Sequence, residues 1–113
     1  MKVSFKGCNN QVVTFMADEK IRVGTPVKIS GNCKVAPAGA GDTFVGCVVN
    51  SDGSYAAVCI SGVVDIPCND SGIKAGWCDV ACDGNGGIKQ GENGFCRFVI
   101  SVNTADKTAT IIL

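Results

Sequence analysis

The chain has 113 residues, a length that predicts a single domain over residues 1–113, and its balance of 46% hydrophobic and 18% charged residues excludes intrinsic disorder. Ten basic residues offset ten acidic ones without a basic cluster, which argues against nucleic acid as a partner because counterion release would contribute little affinity. No apolar stretch has the length of a membrane span or a secretory leader, so we expect no membrane partner and synthesis in the cytoplasm.

Apolar and polar residues alternate with a period of two along much of the chain. In chain order, the alternating sets are Val3 and Phe5; Val27 and Ile29; Cys33 and Val35; Cys78, Val80 and Cys82; Phe98, Ile100 and Val102. This alternation predicts half-buried strands, and glycine-bearing turns such as Gly31-Asn32 and Asp83–Gly87 separate them. Helical periodicity is limited to a turn or two over Asp70–Ala75. We therefore predict an all-β fold, either a small β-barrel or a β-sandwich.

The second half of the chain repeats the first at an offset of about 52 residues. Gly24 aligns with Gly76, and Ala57 aligns with Ala109. Each half has the same succession of glycine, strand, turn and longer apolar strands, which predicts two similar β units that bury their apolar faces together. Chance alignment of short apolar strands is the alternative interpretation.

Cysteine is unusually frequent, with eight residues in the chain. This is about 7% of the sequence, below the level of a disulfide scaffold, and without a secretory leader we expect mostly free thiols. Several cysteines align with plain hydrophobic residues of the other half, which predicts that they fill the core. The predicted structural thiols are Cys33, Cys47, Cys59, Cys78, Cys82 and Cys96.

The sequence predicts no metal site and no cofactor. Histidine is absent, and only Cys78 and Cys82 have the close spacing of a zinc pair. On a strand, residues four apart are about 13 Å from each other, too far to ligate one ion together. The segment Asp79–Gln90 resembles a calcium loop, but Ala81 and Gln90 occupy the positions where carboxylate ligands are required.

The sequence also predicts that the protein is not an enzyme. Without histidine the usual general base is missing, and no acid or nucleophile has an obvious partner. Cys96 precedes Arg97 and Cys33 precedes Lys34, but neighbours on a strand point to opposite faces, so these cations are not expected to activate the thiols.

Trp77 is the only tryptophan and stands at the start of a predicted strand. Large aromatic side chains usually anchor a core, although tryptophan is also enriched at binding interfaces. We predict that Trp77 is a core residue, with an interface role as the alternative.

From about Ile21 onward, the order of motifs resembles the capsid decoration (cement, or head stabilisation) proteins of tailed bacteriophages. The motifs are Gly24–Ile29, Phe44–Val48, Ser61–Pro67, Ile73–Val80, Gly86–Lys89 and Thr108–Leu113, which together span roughly four fifths of the chain. Each motif is weak alone, and the likeness lies in their order and spacing. The cysteine content departs from this family.

The resemblance implies a compact β domain, often a homotrimer, that binds the major capsid protein on the outside of the expanded head and resides in the virion. Residues 1–15 are predicted to be an N-terminal arm or an edge strand. Within them, Lys2, Val3 and Phe5 are the candidate capsid-binding residues, because an exposed alternating segment can add to a strand of a partner. Two alternatives stay open: a secreted, disulfide-stapled β module that binds a glycan or receptor, and a cytosolic thiol or metal protein.

Overall fold

The computed structural model describes residues 10–92 and 95–113, and these ranges contain strands and turns but no helix. The predicted all-β fold is confirmed. The segment Asp70–Ala75 contains only a turn, in which the Ile73 amide donates to the Asp70 carbonyl oxygen at 3.3 Å. The strands are β1 (Gln11–Met16), β2 (Pro26–Gly31), β3 (Lys34–Pro37), β4 (Gly46–Ser51), β5 (Tyr55–Ser61), β6 (Val63–Pro67), β7 (Gly76–Cys82), β8 (Ile88–Gln90), β9 (Cys96–Asn103) and β10 (Thr108–Ile112).

The first five strands form a closed barrel in the order β1-β3-β2-β4-β5. Most neighbours are antiparallel, and β1 pairs with β5 along its whole length. A parallel bridge between Met16 and Lys34 closes the barrel, and the Met16 amide donates to the Cys33 carbonyl oxygen at 2.8 Å. Residues 11–15, predicted as part of an arm or edge strand, therefore belong to a barrel strand.

The last five strands form a second sheet in the order β6-β10-β9-β7-β8. Its neighbouring strands are all antiparallel. Beyond the end of β6, an isolated parallel bridge joins Cys68 to Ile88 of β8 and brings the two edges of the sheet together. This bridge lies between the edges of the second sheet, just as the β1–β3 bridge joins the edges of the first barrel.

The two halves share strand order and, over three of the five strands in each half, residue register. The pairing of β1 with β5 recurs in that of β6 with β10, and the pairing of β4 with β5 recurs in that of β9 with β10, each about 52 residues further along the chain. The recurrence confirms the two similar β units. The cross-strand pair of Val13 and Val58 in the first half corresponds to the pair of Asp65 and Thr110 in the second. In the same way, the pair of Cys47 and Cys59 corresponds to the pair of Val99 and Ile111.

Two apolar clusters form the core. One cluster lies inside the first barrel and includes Val27, Val35 and Val58. The other consists mainly of second-half residues but also contains Ala38, Phe44 and Cys47 of the first half. Backbone hydrogen bonds reinforce this contact: Gly41 donates to the Cys82 carbonyl at 2.8 Å, and Cys82 donates to the Asp42 carbonyl at 2.9 Å. The halves therefore pack together over a shared apolar cluster.

Candidate docking surface

Four apolar side chains lie next to one another across the second sheet. Trp77 of β7 is opposite Phe98 of β9, Phe98 is opposite Ile112 of β10, and Ile112 is opposite Val63 of β6. Residues that face each other on paired strands are within side-chain contact distance. These four residues therefore form a continuous strip, called here the apolar row.

The apolar row is exposed. The exposed fraction is 75% for Trp77, 37% for Phe98 and 42% for Ile112, and Val63 is half-buried. The rings of Trp77 and Phe98 meet edge to face, with centroids 5.2 Å apart and planes at 86°. This geometry is favourable for aromatic pairs, so the two rings fix each other in position on a rigid sheet.

The prediction that Trp77 is a core residue is wrong. In β7, the side chains of Val80 and Cys82 point into the core and are almost fully buried. Since successive side chains of a strand alternate between faces, Trp77 lies on the outer face together with Asp79. The core position beside it is filled by the half-buried Cys78, which packs against the larger apolar cluster.

The exposed area of the apolar row is too small for a stable pairwise interface. From the exposed fractions and the surface of aromatic side chains, it is on the order of 300 Å². Contiguous apolar patches of this size often mark contact sites on soluble proteins. A stable complex, however, usually buries about 800 Å² on each partner. One copy of the row therefore supports only a weak contact.

Carboxylates border the row at both ends. Asp65 lies two residues after Val63 on β6, and Asp79 lies two residues after Trp77 on β7, so each shares a face with its apolar neighbour. Asp65 is exposed and accepts a hydrogen bond from the Thr110 hydroxyl at 2.5 Å, while Asp79 is half-buried. The face is thus apolar in the middle and acidic at its edges.

The seven cysteines of the described residues are free thiols, and their burial differs from site to site. Cys47, Cys59 and Cys82 are buried as predicted, and Cys78 and Cys96 are half-buried. Cys68 is also buried, although its sequence position gave no signal for it. Cys33 is exposed at the β2–β3 turn with φ 57, so the prediction that it alternates with Val35 in a strand is wrong.

Buried thiols lie where the two halves meet. Cys47 of β4 is directly opposite Cys59 of β5. Burial, together with the nearby thiols of Cys59 and Cys82, raises the pKa of Cys47 from 9.0 to about 12. Burial likewise raises the pKa of Cys82 to about 12. Because the thiolate is the reactive form, these groups are weak nucleophiles at neutral pH and serve as packing atoms.

We expect alkaline pH to destabilise the fold through Cys47. Between pH 9 and 12 the unfolded chain releases the thiol proton while the folded chain retains it, so the free energy of unfolding falls by roughly 1.4 kcal/mol per pH unit. Below pH 9 the thiol is neutral in both states and has no effect. Urea unfolding of wild type and of Cys47→Val at pH 8 to 11 measures this slope.

The valine variant suits this test because Val99 occupies the equivalent buried position in the second half. Cys47→Val should show a shallower fall of stability with pH than wild type. Cys33→Ser, which removes an exposed thiol, should leave the wild-type slope in place. If the free energy of unfolding fell equally steeply with pH in wild type and Cys47→Val, the predicted contribution of the Cys47 thiol would be contradicted.

The acidic hairpin that resembles a calcium loop is held by its own backbone. The Asp83 carboxylate accepts hydrogen bonds from the amides of Asn85 at 2.7 Å and Gly87 at 3.1 Å. Asp83 also donates its amide to the Gly87 carbonyl at 3.1 Å. Within residues 10–92 and 95–113, no group of three His, Cys, Asp or Glu side chains could hold a metal ion.

A pocket of about 520 Å³ opens at one end of the second sheet. Ile73, Val102 and the thiol of Cys68 contribute its apolar surface, and burial raises the pKa of that thiol. The other residues around it are Asn69, Asp70, Ser71, Thr104 and Lys107. The Asp70 carboxylate accepts hydrogen bonds from the backbone amides of Gln90 at 2.8 Å and Gly72 at 2.7 Å, and these bonds lower the pKa of Asp70.

Comparison with models of protein families finds no family that matches the chain, and comparison with curated protein sequences finds no match. The described part of the chain contains no helix long and apolar enough to cross a membrane. The candidate capsid-binding residues Lys2, Val3 and Phe5, together with Cys8, lie outside the described residues. The apolar row is thus the candidate site that the geometry defines, and sequence reasoning missed all of it except the alternative role of Trp77.

Proposed function

We propose that this chain is a capsid decoration protein of a tailed bacteriophage, which binds the major capsid protein on the outer surface of the expanded head and stabilises it. The order of sequence motifs and the all-β fold support the proposal. A decoration protein acts by binding alone: a molecule that binds only the mature shell stabilises that shell by mass action.

The observation that carries the proposal is the exposure of Trp77. A tryptophan that is 75% exposed on a rigid sheet, braced by Phe98, leaves a large apolar surface in water. Tryptophan is also the residue type most enriched at binding hot spots. We therefore assign the apolar row as the surface that docks on the capsid.

The small area of the row suits a lattice. One contact on the order of 300 Å² binds weakly, but linked copies turn each further contact into an intramolecular event and gain avidity. A homotrimer that presents three rows to neighbouring capsid subunits gains this avidity. Its binding then depends on the assembled, expanded lattice, as decoration requires.

The N-terminal segment supplies the second proposed contact. Val3 and Phe5, flanked by Lys2, would add as a strand to a capsid strand and contribute backbone hydrogen bonds. Deletion of Met1–Lys6 should lower the occupancy of heads while the fold is retained. Unchanged occupancy with a native circular dichroism spectrum would remove this contact from the proposal.

Electron cryomicroscopy of mixtures of the purified chain with undecorated phage heads tests the function. We expect ordered density at symmetry-related positions on the outside of expanded heads and none on unexpanded heads. The same mixtures heated in steps should show that decorated heads rupture at a higher temperature. Expanded heads that stay bare at saturating protein would refute the proposal.

A further inference from the structure

In the first half, the loop after β1 is tied to the β4–β5 hairpin through a serine. The Ile21 amide donates to the Ser51 hydroxyl at 3.0 Å, and that hydroxyl donates to the Tyr55 carbonyl at 3.1 Å. Met16, at the end of β1, is directly opposite Tyr55 at the start of β5. The loop and the hairpin are therefore joined beside two large side chains.

The corresponding loop and hairpin of the second half, about 52 residues further along the chain, bond within themselves. The Ile73 amide donates to the Asp70 carbonyl of its own loop at 3.3 Å, and the Asn103 side chain accepts from two amides of its own turn at 3.1 Å. The pocket of about 520 Å³ lies between these two segments, and its lining comes from residues 68–73 and 102–107. This volume is within the usual range for small-molecule sites.

Three positions in the pocket differ from the first half in ways that suit a ligand. Cys68 stands at the position of Met16, and Lys107 stands at the position of Tyr55, each about 52 residues further along. The smaller thiol leaves space, and the amine brings a positive charge. Val102 stands where the first half has an asparagine, which adds an apolar surface.

Lys107 is the only cationic residue that lines the pocket, and its backbone is held in place. Its φ is 55, in the left-handed region, and its carbonyl accepts from the Cys68 amide at 2.8 Å. In the described part of the chain no carboxylate forms an ion pair with Lys107. The Asp106 carboxylate accepts from the Asn103 side chain at 3.0 Å, and each Asp70 carboxylate oxygen accepts from a backbone amide. The ammonium group is thus available to an anion.

We propose that this pocket binds a small, free organic acid, whose carboxylate pairs with Lys107. The apolar body of the acid packs on Ile73, Val102 and the neutral thiol of Cys68. The site lies at the opposite ends of β6, β9 and β10 from the apolar row, roughly 17 Å away along the strands. It therefore goes beyond the proposed docking on capsids and leaves the apolar row uncovered.

Chemical-shift titration of the ¹⁵N-labelled full chain with phenylacetate tests this site. We expect the amide signals of residues 68–73 and 102–107 to shift and to saturate. Phenylacetamide has nearly the same shape without the charge, and it should bind about fivefold more weakly, the effect of one solvent-exposed ion pair. Lys107→Gln should weaken phenylacetate by the same factor and leave phenylacetamide unchanged.

Two further variants separate space from charge. Cys68→Met installs the residue of the first half, and by filling the pocket it should weaken both probes at least tenfold. The matched control is Lys20→Gln, which removes an exposed lysine from the corresponding loop of the first half and should leave both affinities unchanged.

A third probe, N-acetylphenylalanine, carries its carboxylate as the last residue of a peptide does. We expect it to bind more weakly than phenylacetate. Tighter binding would assign the site to peptide C-termini and overturn the free acid.

Three other results would overturn the inference. One is a set of shifts that is scattered over the surface and rises without saturation. Another is equal affinity of wild type for phenylacetate and phenylacetamide, and the third is equal loss of affinity in Lys20→Gln and Lys107→Gln. None of these measurements involves heads, so the inference can fail while the proposed decoration function stands, and the reverse also holds.

Discussion

Alanine at Gly46 is expected to lower the free energy of unfolding by about 3 kcal/mol or more, because overpacking against a backbone cannot be relieved by a rotamer change. Gly46 is buried at the start of β4, against the partner strand β5. A Cβ there would overlap the Cys59 carbonyl oxygen and would lie 2.9 Å from both the Cys59 carbonyl carbon and the Val58 Cγ1. Separation of β4 from β5 would open the first barrel.

Gly53→Ala is the matched control for this measurement. Gly53 is exposed in the turn between the same two strands, and a Cβ there meets nothing within 4 Å. Its alanine variant should unfold within about 0.5 kcal/mol of wild type, as surface changes usually do. Urea unfolding monitored by circular dichroism measures both variants. Equal stability of Gly46→Ala and Gly53→Ala would mean that the close approach of β4 and β5 at Gly46 is absent in solution.

The strand content and the duplication were predictable because both depend on local patterns. Cys78, Val80 and Cys82 alternate with polar or smaller residues in β7, and all three point toward the core in the structure. A period of two is a direct consequence of strand geometry, so it survives any arrangement of the other strands. The offset of about 52 residues likewise records a repeated order of strands and turns.

The orientation of β9 could not be predicted in the same way. Its middle reads Phe98, Val99, Ile100, Ser101 and Val102, so apolar residues occupy both faces and periodicity gives no choice between them. The predicted alternating set of Phe98, Ile100 and Val102 does not share one face. Val99 is fully buried and Phe98 is exposed, and the register with β10 shifts between Thr110 and Ile111 so that Ile100 is skipped. Such a bulge exchanges the faces of a strand at one residue.

The closure of the barrel and the apolar row could not be predicted either, because both depend on contacts between residues that are far apart in the sequence. Closure depends on single long-range bridges, Met16 with Lys34 and Cys68 with Ile88, which no local pattern encodes. The apolar row combines four strands, and its members become neighbours only once the strand order and register are known. Sequence reasoning could weigh Trp77 alone, where a core role is the commoner outcome, but it could not place Phe98 or Ile112 beside it.

Serine at Trp77 is expected to weaken binding to expanded heads by about thirtyfold or more, the effect of losing a hot-spot contact of about 2 kcal/mol. The physical reason is that Trp77 contributes most of the exposed area of the apolar row, and its loss also leaves the Phe98 ring without its edge-to-face partner. Occupancy of heads as a function of protein concentration, counted in electron micrographs, gives the change in affinity. The free energy of unfolding should stay within about 1 kcal/mol of wild type, because the indole is mostly in water.

Two companion variants make this result specific to the apolar row. Trp77→Phe keeps an aromatic ring against Phe98 and should retain most of the affinity, whereas Val23→Ser removes a 64% exposed side chain of the first half and should bind as wild type does. If Trp77→Ser loaded onto heads at the same concentrations as wild type, the row would not be the docking surface and the N-terminal segment would have to supply the affinity. If Val23→Ser lost affinity to the same extent as Trp77→Ser, the contact would extend over both halves, since a row confined to β6, β7, β9 and β10 gives no role to that residue.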